Sequence, residues 1–335
     1  MRAAIRPVNK LKRMKTSLLK IALCAGCAAA VLTTNAGPLR RADIGADALW
    51  VAHLDVDGMR PTAVGQFIQS EMDKPEAQAK LAAFQALFSF DLRTQLHGVS
   101  LYGSSKAPQD GLLILYADFD PERLVTLARA AKEAQNSSHG QHMIYSWVDE
   151  KMYKHKHGTS QRVYAAIAGS RVIFGQSENR VAQALDVVDG ASASLATSTA
   201  FAPLGTPGDT SFLEAAARNL DLPGSDPHAA ILKLSQSVRL QVAEAQNQLA
   251  AKLTLQANDE EVAGHINSIA QGLVALMKLQ KDKPESVRFA EALSLKQDGA
   301  QVVASLVLPD NDAIAMMKAD AARKAERKTE RGERD

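Results

Sequence analysis

The chain has 335 residues, 46% apolar and 23% charged, with 20 glycines, 12 prolines and 2 cysteines. That composition supports a packed core and excludes a wholly disordered, collagen-like or disulfide-rich chain, and the length suits about two domains. The net charge of +2 conceals an asymmetry: residues 1–36 hold seven Lys/Arg and no acid, which leaves 32 basic against 37 acidic residues, or −5, on the rest. A mildly acidic body without a basic stripe lacks the concentrated Lys/Arg that phosphate binding needs, so no nucleic acid is expected as a partner.

Residues 1–36 read as an export signal. A basic region runs to Lys20, Ile21–Leu32 is an unbroken apolar stretch of 12, and Thr34-Asn35-Ala36 offers small residues for cleavage before Gly37. Met14 is an alternative start. A spanning helix needs about 20 apolar residues, so no stable membrane span is expected after cleavage; a retained anchor is the competing reading. Cys24 and Cys27 both lie inside the segment, and neither has the neighbours a lipidation site wants. Cleavage after Ala36 leaves a cysteine-free chain and removes disulfides, thiolate zinc sites and cysteine nucleophiles together.

Alternation over Leu49–Val56 predicts a half-buried strand, with Trp50, Ala52, Leu54 and Val56 toward the core and His53, Asp55 and Asp57 toward solvent. Helical sequence follows from Pro61 and from Pro75. Leu96–Tyr102 and Gly111–Phe119 form a hairpin, and Asp120-Pro121 opens a helix with Asp as cap and Pro in the first turn. Met143–Val148, Arg162–Ala168 and Arg171–Phe174 are further strands. Ser177 caps a helix carrying Val181, Leu185 and Val188, which Gly190 stops. Residues 191–209 are small, polar and Pro/Gly-rich, the composition of a linker.

Beyond it, Ser211–Arg218 reads as a strand, weakened by its alanines. A strand through Val238, Leu240 and Val242 turns at Gln246-Asn247 and returns through Leu249, Leu253 and Leu255, although Gln241–Lys252 also contains many good helix formers. Asn258 or Asp259 caps an amphipathic helix bearing Val262, Ile266, Ile269 and Leu273. Asp298-Gly299 joins Phe289–Lys296 to Gln301–Leu308 in a hairpin, and a last helix carries Ile314 and Met317.

The halves share an order, β-α-ββ-α-ββ-α. The expectation is an α+β protein of two related domains, residues 45–190 and 210–318, each an antiparallel sheet of hairpins with helices on one face, joined by linker 191–209 and followed by a charged tail at 319–335. The segments LWVAHLDVDGM, IYSWVDEK and SENRVAQALDVVDG resemble a family of exported, uncharacterised bacterial α+β proteins. The resemblance implies fold and export and carries no catalytic assignment.

Candidate chemistry is sparse. His139, His142, His155 and His157 fall within nineteen residues, and clustered imidazoles suit zinc or copper. The plainer reading is a Lys-rich loop that contains histidine. His53, Asp55 and Asp57 share a strand face and offer three metal or acid–base ligands, against a solvent-facing edge with Asp57-Gly58 as a turn. No G-x-S-x-G elbow, S-x-x-K motif, dinucleotide loop or Walker loop is present. The expected role is therefore a non-enzymatic exported protein, periplasmic or extracellular, without cofactor, acting as a binding or envelope-support module with an unknown protein or small-molecule partner in the cell envelope. The alternative is a metal-binding protein or metal-dependent enzyme using the histidine cluster.

Overall fold

The computed structural model describes residues 37–149, 162–202, 204–205, 210–219, 231–280 and 284–332. The expected signal, His155 and His157 lie outside them. The first half contributes β1 (Trp50–Asp55), the single turn α1 (Val56–Met59), α2 (Ala63–Met72), α3 (Pro75–Phe88), β2 (Leu96–Gly103), β3 (Gly111–Ala117), α4 (Pro121–Ala130), β4 (Gln135–His139), β5 (His142–Val148), β6 (Arg162–Ala168), β7 (Arg171–Gly175) and α5 (Glu178–Val188). The second contributes β8 (Leu213–Arg218), β9 (Ser235–Ala245), β10 (Gln248–Ala257), α6 (Glu260–Lys278), α7 (Pro284–Ala292), β11 (Leu293–Asp298), β12 (Gln301–Pro309) and α8 (Asp310–Gly332).

Local signals account for many of these boundaries. The Asp120 carboxylate accepts from the amides of Glu122 and Arg123 and opens α4; Asp259 accepts from Val262 and opens α6. Gln246 and Asn247 both have positive φ, the geometry of a two-residue hairpin turn, and hold β9 against β10. Gln241–Lys252 is thus strand, not helix. Two elements differ from expectation. Phe289 belongs to α7, so β11 begins at Leu293, and the polar segment Gln135–His139 forms strand β4.

Among the described residues all twelve strands lie in one antiparallel sheet, in the order β11-β12-β10-β9-β8-β1-β2-β3-β7-β6-β5-β4. The expectation of one sheet per half is corrected by the seam between β1 and β8, where Trp50 pairs with Ala217 and Leu54 with Leu213. The alanines that weaken β8 as an isolated strand are acceptable there, because pairing on both edges supplies its hydrogen bonds.

Register separates the two faces. One, the front, carries an apolar row running Leu293, Leu306, Ala251, Val242, Leu213, Leu54, Val99, Leu115, Val172 and Ile167 across the sheet. The matching back row changes character along its length. Lys252, Gln241, Glu214, His53 and Ser100 give way to Ile114, Ile173, Ala166 and Ile144.

Helices pack on both faces, not one. On the back, Val181 and Leu185 of α5 join Ile114, Ile144 and Ile173 in the main core. On the front, Ala263 and Ile266 of α6 pack against Leu255 and Val302, and α4 lies over the β5–β7 end. The back face is closed further by two stretches without regular periodicity. Leu39, Ile44 and Ala48 come from the segment preceding β1, and Leu195 and Leu204 from the region with linker composition; all five are at most 3% exposed. Arg41 ties the two stretches together, donating from Nη2 to the carbonyls of Leu195 (2.7 Å), Ser198 (2.9 Å) and Ala200 (3.0 Å), and from Nη1 to those of Phe201 and Leu204.

Candidate functional site

The first candidate set, His53, Asp55 and Asp57, does not converge. The back-face covering inverts the expected orientation of β1, so that Val51, His53 and Asp55 are buried while Trp50, Ala52 and Leu54 are half-buried. His53 Nδ1 lies 2.8 Å from Ser100 Oγ and Nε2 lies 3.2 Å from the Gly37 carbonyl. A carbonyl only accepts, so Nε2 donates, and in the neutral imidazole Nδ1 then accepts from the serine hydroxyl. Burial lowers the His53 pKa and reinforces that state. Asp55 caps α1 through the Gly58 amide at 2.8 Å, and a Cβ on Gly58 would meet that carboxylate at 2.6 Å. Asp57 pairs elsewhere, with Arg60 at 2.7 Å and with His97 Nδ1 at 2.9 Å. The expected metal or acid–base face is therefore three separate structural contacts.

His97 was not singled out in the sequence. Its Nε2 lies 2.9 Å from Asp118, so one imidazole stands between two carboxylates supplied by residues 57 and 118. No linear spacing announces such a group.

His139 and His142, the two described members of the second candidate set, are also partnered. His139 and His142 face each other across the β4–β5 turn, but their rings turn to the end of α5, where His139 meets Asp186 at 2.7 Å and His142 meets Asp189 at 3.0 Å. The His142 contact holds the Asp189 carboxyl below its ordinary range. Among the described residues no group of three His, Cys, Asp or Glu is placed to hold a metal ion.

The feature with binding geometry lies on the front face. Phe84, Leu87 and Phe88 of α3 and Leu124, Val125 and Ala128 of α4 roof an apolar cavity of about 430 Å³. Its floor is the sheet itself: Tyr145, Ala165 and Phe174 form one cross-strand row, and Ile167, Val172 and Leu115 the next. The small side chain of Ala165 between two aromatic residues leaves much of the space. Phe84 stacks on Phe88 at 4.5 Å and meets Phe90 edge-on at 5.3 Å, and Arg123 of α4 donates to the Leu87 carbonyl at 3.0 Å, tying α4 to the end of α3. Yet α3 contains no buried residue, and Leu87 remains 47% exposed. Its apolar stripe faces empty volume. Arg129 sits 6.0 Å from the Tyr145 ring and places one cation beside the aromatic floor. A cavity is a shortfall of volume between residues 84 and 174 and has no linear signature. Among the described residues no helix is long and apolar enough to cross a membrane.

No protein-family model matches the chain, and no curated protein matches it. Among solved structures, the chain is similar to TP0453 in crystal form III (TM-score 0.48, 12% identity, 85% of this chain and 99% of that one), form I (0.44, 11%, 85% and 98%) and form IV (0.43, 10%, 85% and 98%).

Proposed function

We propose that the protein is an exported, non-enzymatic carrier that holds a single aliphatic chain in the front cavity between α3, α4 and the sheet. The observation that carries this reading is a cavity of about 430 Å³ walled by aromatic and aliphatic side chains. At roughly 30 Å³ per water-sized group it accommodates about fourteen methylenes. Export rests on the basic–apolar–small order ending at Ala36 and places the protein in the periplasm or outside the cell. Two related units, 45–190 and 210–318, are supported by the strand order outward from the seam: β1-β2-β3-β7-β6 on one side and β8-β9-β10-β12-β11 on the other, with β4 and β5 added to the first.

Displacement of N-phenyl-1-naphthylamine by saturated fatty acids of graded length tests the carrier reading. Uptake of the probe is expected, with affinity rising with chain length to a plateau set by the cavity. Ala128→Phe fills the roof and should weaken uptake at least tenfold without altering the melting temperature. No probe uptake, or uptake indifferent to Ala128→Phe, would refute the assignment. Amino-terminal sequencing of the exported protein should begin at Gly37.

A further inference from the structure

The front cavity is lined by aliphatic and aromatic side chains, yet the charges around it are unevenly placed along α4. At the start of that helix Asp118 and Asp120 flank Phe119, itself a lining residue; in its last turn stands Arg129. At about 1.5 Å of rise per residue, roughly 14 Å of helix separates residues 120 and 129. The two acids are already engaged. The Asp120 carboxylate accepts from the amides of Glu122 at 2.9 Å and Arg123 at 3.3 Å, and Asp118 lies 2.9 Å from His97 Nε2. Arg129 is not. It is exposed, its guanidinium carbon lies 6.0 Å from the centre of the Tyr145 ring, and among the described residues no carboxylate pairs with it. Glu133, the nearest acid in sequence, lies 3.9 Å from Arg162 instead. Because Tyr145 lines the cavity, one rim carries a cation without a counter-charge, while the opposite rim carries anions that already have donors.

We propose, on the basis of the carrier reading of this cavity, that its ligand is a single-chain alkyl carboxylate bound in one direction. The carboxylate sits at Arg129 beside Tyr145, and the chain runs beneath α4 toward Phe119. A guanidinium offers a planar fork of donors that matches a carboxylate. Its position at an exposed rim leaves the ionic head in water while the hydrocarbon is buried, so no charge is carried into the apolar interior. An alkanol of the same length gains the burial of its chain and nothing from the cation. An alkylammonium is repelled at Arg129, and in the reversed orientation it meets carboxylates already taken by His97 and by the first amides of α4.

Displacement of N-phenyl-1-naphthylamine, a neutral probe, from the full chain tests the head group. The competitors are dodecanoate, dodecan-1-ol and dodecyltrimethylammonium, each below its micellar concentration and at pH ~8, where the carboxylic acid is ionised. Dodecanoate should displace the probe at about tenfold lower concentration than the alcohol, and the ammonium should be the weakest of the three. The preference should shrink as salt is raised, because the rim is exposed. In Arg129→Gln the ratio of dodecanoate to alcohol potency, measured on the same variant, should fall to about one; in Arg129→Glu the ammonium should overtake the carboxylate. The ranking on the unsubstituted chain keeps the test decisive should either variant fail to fold. Equal potency of carboxylate and alcohol, or a carboxylate preference that survives Arg129→Gln, would overturn the head-group assignment and leave the carrier standing. Failure of the unsubstituted chain to take up the probe would remove both.

Discussion

Arg41 is the residue on which the closure of the back face should depend. Its four Nη hydrogens serve five backbone carbonyls between Leu195 and Leu204, so one hydrogen is shared. Those carbonyls belong to a stretch outside the sheet ladder, and those of Leu195 and Phe201 also accept from the amides of Ser198 and Leu204. Arg41→Ala would leave several of them without their charged donor. A hydrogen bond to a charged group contributes about 1.5–3 kcal/mol, but the residue is half-buried and water can replace part of the set, so the equivalent of two good bonds, about 3–5 kcal/mol, is the expected loss. Equilibrium urea unfolding should show a lower midpoint at unchanged slope. Amide exchange should rise first in residues 195–205. Arg41→Lys should recover less than half of the loss, because three donors on a flexible stem cannot span five acceptors. A loss below 1 kcal/mol for Arg41→Ala, or full recovery by Arg41→Lys, would refute this account of how the covering is held.

Further outcomes follow from other contacts. His53 has a folded pKa lowered by burial, so between its unfolded value near 6.5 and its folded value the unfolded chain binds more protons; stability should hold above pH ~6.5 and fall as pH drops through that window, and an unchanged pH slope in folded His53→Asn would contradict this. Glu244 of β9 accepts from the first amides of α2, Ala63 at 2.5 Å and Val64 at 3.1 Å, so Glu244→Ala should cost about 1 kcal/mol in urea unfolding, with faster exchange confined to α2. Zinc should leave the melting temperature unchanged, because His139 and His142 each face a single carboxylate; a shift abolished by His139→Ala/His142→Ala would restore the metal reading.

What could be read from the sequence was local. Asp120, Asp259 and Gln246-Asn247 act within three or four residues of themselves, and their helices and hairpin lie where these signals put them. The orientation of β1 was not readable, because alternation shows that a strand has two unlike faces without showing which is covered. Here Leu39, Ile44, Leu195 and Leu204, from stretches with no periodicity, bury the side that carries His53 and Asp55. Strand β4 is hidden for a related reason: QNSSH is an edge segment with one neighbour and no apolar pattern. The candidate sites follow the same division. The histidines were visible as residue types, but their partners Asp186, Asp189 and Gly37 are chosen by tertiary contact. The front cavity depends on distant residues such as Ala165 being small.

The seam between β1 and β8 makes each half a problem for the other's absence. A fragment ending before β8 would present the free edge of β1, a run of unpaired amides and carbonyls over Trp50–Asp55. The natural remedy is antiparallel pairing with the same edge of a second copy, which closes as an isologous two-fold dimer. The intact chain can therefore be viewed as such a dimer made covalent: the second half blocks an edge that would otherwise recruit another molecule. Cutting the chain near residue 209 should yield two pieces that reassemble with each other, or self-associate, in preference to remaining monomeric.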